Sequence, residues 1–256
     1  MSTNLNLVKI IFVVNIIFIT LSFYFQSELS SNLAILCAAI SFITSVIFDK
    51  RIFNSNLFLF LSTLPIYLII PLYQNPMLAT LLITLLISVL VYKKQVFELF
   101  NFGEIKDIKI WLAVALVSVV ASISLIVWGV STNELTGVGE ATSQELAKLN
   151  TIVILILIPI GALLNAIVEE VVFRGIIQTE LSKVFNISVA IFLQAFLFAG
   201  FHYAGGFPNG LIGFAMTFVY ACALGLMRYE VKGLFAPIIT HSLADMTILI
   251  FLWMYF

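Results

Sequence analysis

The chain has 256 residues, of which 62% are hydrophobic and only 10% charged, and its formal net charge at pH 7 is −1. About a quarter of the residues in soluble domains are charged, so this composition excludes an ordinary soluble domain and points to a polytopic membrane protein. No nucleic-acid partner is expected; the partner composition implies is the lipid bilayer.

Apolar runs of membrane-crossing length lie near Leu7 to Phe25, Ser31 to Phe48, Leu57 to Tyr73, Met77 to Tyr92, Ile110 to Val130, Thr151 to Ile177, Ile187 to Tyr203, Gly210 to Met227 and Leu234 to Phe256. The expectation is an all-α transmembrane bundle of about eight to nine spans, because backbone groups facing lipid must bond within their own segment. The first run is too long for a signal-peptide core and no small-residue cleavage site follows it, so it reads as a retained span. Cys37 and Cys222 both fall inside spans, where they read as packing residues.

Lysine and arginine placement orients the chain. With a cytoplasmic N-terminus, Lys50, Arg51, Lys93, Lys94, Lys106, Lys109, Lys183, Arg228 and Lys232 fall inside. Lys148 falls outside, in a loop that also carries Glu134, Glu140 and Glu145. The cell (plasma) membrane is the expected location. The mixed aromatic and basic segment 93–109 reads either as a helix lying along the cytoplasmic interface or as a solvated connector.

Organisation divides near Asn150. Residues 1–130 hold spans almost free of ionisable groups and read as scaffold helices, whereas 150–256 carry the intramembrane chemistry within one membrane domain. At the end of the run Thr151 to Val168 stand Glu169 and Glu170, with Arg174 at helical spacing. A charge at mid-membrane costs roughly 2.5 to 3.5 kcal/mol, so such residues face a protein interior or a wet cavity. The alternative is that the helix ends at Val168 and the charges lie among headgroups. On an α-helix Glu170 and Arg174 meet at i and i+4, while Glu169 is rotated by about 100° and is left to another surface, as suits a general base.

The two histidines of the chain, His202 and His241, lie in later apolar runs. Phe198 precedes His202 by one helical turn, and His241 precedes Asp245 by one turn, so the carboxylate can orient the imidazole. Pro237 either opens the helix before His241 or marks an ordinary helix start. The segment Ala204 to Gly210 reads as a connecting turn that could also gate a substrate. No His-Glu-x-x-His, Gly-x-Ser-Gly or Gly-x-Gly-Asp motif is present, which leaves Glu-Glu-x-x-x-Arg, Phe-x-x-x-His and His-x-x-x-Asp in that order.

This ordered set resembles the CPBP family of intramembrane endopeptidases, the CAAX prenyl endopeptidase and bacteriocin-processing group also called Abi, over about residues 150–250. The resemblance implies a catalytic core in the C-terminal helices that hydrolyses a peptide bond of a membrane-associated peptide or protein. Glu169 would activate a water held by His202 and His241, with Asp245 positioning water or imidazole and Glu170, Arg174 and Phe198 in support. Asp245 stands where family members often have Asn, which changes a donor into an acceptor. The resemblance implies no obligatory cofactor, although Glu169, His202 and His241 also match a three-ligand zinc site. Two rival readings are a non-catalytic adaptor or bacteriocin self-immunity protein, which loss of a catalytic position would favour, and a proton-coupled transporter, which inverted repeats would favour. Straight spans would leave Glu169 and His202 at different depths, so the geometry linking them is the expectation most exposed to test.

Overall fold

The computed structural model describes residues 2–64, 76–99, 103, 105–132, 144–205 and 207–254. Among those residues the regular structure is all helical, with no β-strand. Its helices are α1 (Ser2–Phe25), α2 (Glu28–Phe48), α3 (Phe53–Thr63), α4 (Pro76–Leu99), α5 (Ile108–Thr132), α6 (Thr151–Glu170), α7 (Ile187–Gly205), α8 (Gly210–Val231) and α9 (Phe235–Met254). A 3₁₀ turn, Lys50–Ile52, leads into α3, and α6 runs on as a π-helix, Val171–Gln178, with a last α-turn Thr179–Leu181. Six helical stretches are long and apolar enough to cross a membrane: Leu5–Phe25, Glu28–Phe48, Ile108–Thr132, Thr151–Leu181, Gly210–Val231 and Phe235–Met254. Met77–Val91 and Ile187–Tyr203 are shorter apolar helices. The run expected from Leu57 to Tyr73 is helical to Thr63, and residues 65–73 lie outside the described residues, as do Glu134, Glu140 and parts of 93–109.

Two compact units form, one from residues 1–101 and 171–200, the other from 102–170 and 201–256. In the first, α1 packs on α2. The buried face of α2 is Ala34, Ala38, Ser41 and Ser45, a stripe of small residues that lets two helices approach closely where lipid offers no hydrophobic drive. Phe12, Asn15, Ile16 and Ile19 are fully buried on α1. Between the helices Gln26 takes a left-handed φ of 46°. Ser27 then caps α2 in a box with Ser30, satisfying amide donors that the helix itself cannot. Gly200 of α7 touches α1, since a Cβ there would stand 2.9 Å from Thr20 Cγ2.

In the second unit α9 is the element against which α5, α6 and α8 all pack. Gly129 of α5 admits the Phe251 ring, which a Cβ would meet at 2.7 Å. One turn along, Thr247 donates its hydroxyl proton to the Leu243 carbonyl, so Ser122 is the donor in their 2.7 Å contact. On α6 the buried positions are Ile154, Ile158, Ala162, Ala166 and Glu170, while Ile152, Leu155, Ile156, Leu163 and Leu164 are exposed. That pattern suits a helix with lipid on one side and protein on the other. The small pair Ala162 and Ala166 brings α6 close to α9 just before the acidic residues.

Pro237 is the third residue of α9. Amides in a first turn have no helical partner in any case, so the ordinary helix-start reading holds. Phe207, in the turn between α7 and α8, stacks edge-on against Trp128 at 4.9 Å and tilts on Phe251 at 6.3 Å. The turn proposed as a gate is therefore fastened to α5 and α9, with Gly206 outside the described residues.

Candidate active site

The seam between α6 and α9 gathers the ionisable residues. Glu170 ends α6 fully buried, and its Oε1 lies 2.7 Å from Nδ1 of His241 on α9, a residue only 3% exposed. A carboxylate accepts and cannot donate, so the imidazole carries its proton on Nδ1 and turns Nε2 the other way. Nε2 faces Glu169 Oε2 at 3.6 Å and Asp245 Oδ1 at 3.5 Å. One imidazole thus stands among three carboxylates. Glu169 Oε2 is buried and makes no hydrogen bond among the described residues, leaving its lone pairs directed into this space.

The far oxygens of the same two acids converge on an amide that sequence reasoning passed over. Asn165 Nδ2 lies 3.2 Å from Glu169 Oε1 and 3.0 Å from Asp245 Oδ2. A second omission is Tyr220 on α8. Its hydroxyl donates to the Thr240 carbonyl at 3.2 Å, and its ring meets the His241 ring edge-on with centroids 6.0 Å apart. Together they hold the imidazole from the peptide before it and from its flank. The missed signal for Asn165 was its place one turn before Glu169; for Tyr220 nothing in the local sequence distinguishes it from a packing aromatic.

The remaining expected residues fall as follows. Arg174 is fully buried in the first unit, with its guanidinium 4.7 Å from the Phe198 ring centre. Phe198 also takes the Phe173 ring edge-on at 4.7 Å. Thus Arg174 and Phe198 come together as a cation–π pair. The α-helical spacing used to pair Glu170 with Arg174 does not describe this stretch. Val171–Gln178 is π-helical, its hydrogen bonds running over five residues, a local geometry frequent at functional sites.

Glu170 has His241 as a hydrogen-bonding partner at 2.7 Å on Nδ1, and Asp245 Oδ1 stands 3.5 Å from Nε2, so both acids bear on the imidazole. His202 lies half-buried near the end of α7. The helix from Thr151 continues to Leu181 before the turn that leads to Ile187. Among the described residues no group of three or more His, Cys, Asp or Glu side chains is arranged to hold a metal ion.

Residues 151–247, which include every residue of this seam, match the family described as Type II CAAX prenyl endopeptidase Rce1-like. This supports the CAAX protease family. The Rce1-like segment begins with α6 and ends within α9, so the family match and the seam coincide. The match supports protease activity for an all-helical, integral membrane chain. No curated protein and no solved structure gives a significant match.

Proposed function

We propose that the protein is an intramembrane endopeptidase that hydrolyses a peptide bond of a membrane-associated peptide or protein, with Glu169 as general base. The observation carrying this is the free, buried Oε2 of Glu169 beside Nε2 of His241, whose other nitrogen is held by Glu170. A carboxylate so placed can take a proton from water as that water attacks the scissile carbonyl. The Nδ1–H to Glu170 contact fixes the direction of Nε2. Protonated at Nε2, His241 becomes a donor to the developing oxyanion, and His202 is the second residue assigned to holding water or oxyanion. Asp245 lies on the other side of Nε2 and positions the water or the ring.

The reading extends to the membrane topology. Eight to nine spans with the N-terminus in the cytoplasm agree with the basic loops, and the plasma membrane is the location proposed. The C-terminal helices supply the catalytic core, residues 1–130 the scaffold. A peptide precursor at the membrane is the substrate class proposed.

Purified protein in bicelles should cleave a quenched-fluorescence peptide anchored to the membrane, and Glu169→Gln should abolish cleavage while thermal unfolding stays as in the wild type. Unchanged turnover in that variant would sink the mechanism. Turnover lost with a chelator and restored by zinc would move the reaction to metal chemistry.

A further inference from the structure

We infer that Asn165 is a positioning residue that clamps Glu169 and Asp245 with their inner oxygens turned to His241. Its catalytic consequence rests on the protease reading, whereas its geometry does not. Asn165 sits one α-helical turn before Glu169 and so shares its face. Ala162 and Ala166, both fully buried, bring α6 near enough to α9 for the same amide to reach Asp245.

A carboxamide nitrogen has two N–H donors. Here one is directed to Glu169 Oε1 and the other to Asp245 Oδ2. The acids close a ring with the imidazole through their other oxygens, Glu169 Oε2 and Asp245 Oδ1. Two carboxylates converging on one ring nitrogen repel each other, and the repulsion grows as water is excluded. Donors on the far side of both offset that repulsion. They also fix the rotation of each carboxylate, so that one oxygen of Glu169 is bound and the other left for proton transfer. The position itself agrees with this. Asn165 is exposed on a stretch of helix whose neighbouring exposed side chains are apolar, Leu163, Leu164 and Ile167. A primary amide against lipid is costly unless its polar atoms are engaged.

The test uses the full-length protein with Asn165→Asp, which keeps the shape but replaces donors with a third converging acid, and the exchange variant Asn165→Asp with Asp245→Asn, which restores one acid and one amide to the pair. Asn165→Asp should lower kcat by about a hundredfold with little change in KM, the cost of a small misplacement at a reacting centre. The exchange should recover about tenfold of that loss, as expected for directly coupled side chains. Thermal unfolding of the same variants reads the clamp without substrate: the midpoint should fall in Asn165→Asp and rise again in the exchange. If Asn165→Asp does not fold, Asn165→Ala takes its place, with Asp245→Asn added as the rescue. Wild-type rate and midpoint in the single variant, or equal impairment in single and exchange variants, would overturn the clamp. A wild-type protein that cleaves nothing, with the melting order intact, would overturn the protease reading and leave the clamp standing.

Discussion

Glu170 and Glu180 are both fully buried, and both belong to the long stretch Thr151–Leu181, yet they are satisfied in different ways. Glu180, in the first unit, accepts from the backbone amides of Asn54 at 3.3 Å and Ser55 at 2.7 Å and from Asn54 Nδ2 at 2.5 Å. Those amides open α3, whose N-cap Ile52 offers no side-chain acceptor. A carboxylate from a distant part of the chain thus caps this helix, helped by the positive end of the helix dipole. Glu170, in the second unit, meets His241, and two further carboxylates face the same ring. The partners of Glu180 hold their protons at any ordinary pH; the partner of Glu170 exchanges its proton. Burial alone therefore does not separate the two acids in this bundle, whereas the chemistry of their partners does.

Substitutions by the isosteric amide break this comparison at its strongest point. Glu169→Gln removes the proposed base, and kcat/KM should fall by about a thousandfold, within the range for loss of a general base. Glu170→Gln keeps the shape but removes the charge that fixes the tautomer of His241. A loss of about ten- to a hundredfold is expected, the scale for a group acting through a catalytic side chain, measured as kcat/KM on the same anchored peptide. If Glu170→Gln costs as much as Glu169→Gln, the two acids share one role and their division of labour is wrong.

Glu180→Gln should give the opposite signature. It weakens the cap on α3 and should destabilise the fold by about 1 to 3 kcal/mol, the cost of poorly satisfied buried donors, while kcat of the folded fraction stays at the wild-type value. Detergent-based unfolding run beside the cleavage assay separates the two quantities. A Glu180→Gln protein that is stable but slow would place Glu180 among the functional acids and erase the contrast with Glu170.

The contrast also explains what could be read in advance. Glu169, Glu170, His241 and Asp245 stood out because ionisable groups in apolar runs are costly and their helical spacings put them on defined faces. The seam between α6 and α9 gathers all four. Asn165 did not stand out, since a lone neutral amide in an apolar run reads as packing until a second helix brings Asp245 to it. The π-helix at Val171–Gln178 was also illegible: its hydrogen-bond register leaves no periodic mark in the side chains, so an α-helical offset was assumed for Arg174. Glu180 shows the same limit from the other side, because its partners, Asn54 and Ser55, lie in another helix far away in the sequence. Contacts set by local spacing were legible, and contacts that require a tertiary neighbour were not.

A third acid with a named partner tests the rule at the smallest scale. Asp49 caps the 3₁₀ turn after α2 and takes Arg51 Nε at 2.8 and 3.1 Å, while Arg51 Nη1 donates to the Lys183 carbonyl at 3.1 Å. The hydrogen bond from Arg51, which does not titrate in proteins, holds the Asp49 carboxyl below its ordinary value. A depressed folded-state value means that the pair stabilises above the unfolded aspartate pKa of about 3.9 and that this contribution is lost as pH falls through the folded value. The Arg51 side chain is 46% exposed, so solvent screening keeps the contribution to a few tenths of a kcal/mol, about 0.2 to 1. Asp49→Asn should therefore flatten the acid side of the stability curve below about pH 4, and 1 M salt should narrow the gap to wild type. A cleavage rate altered at neutral pH in this variant would count against the rule, because an acid whose partner cannot exchange a proton has only structure to lose.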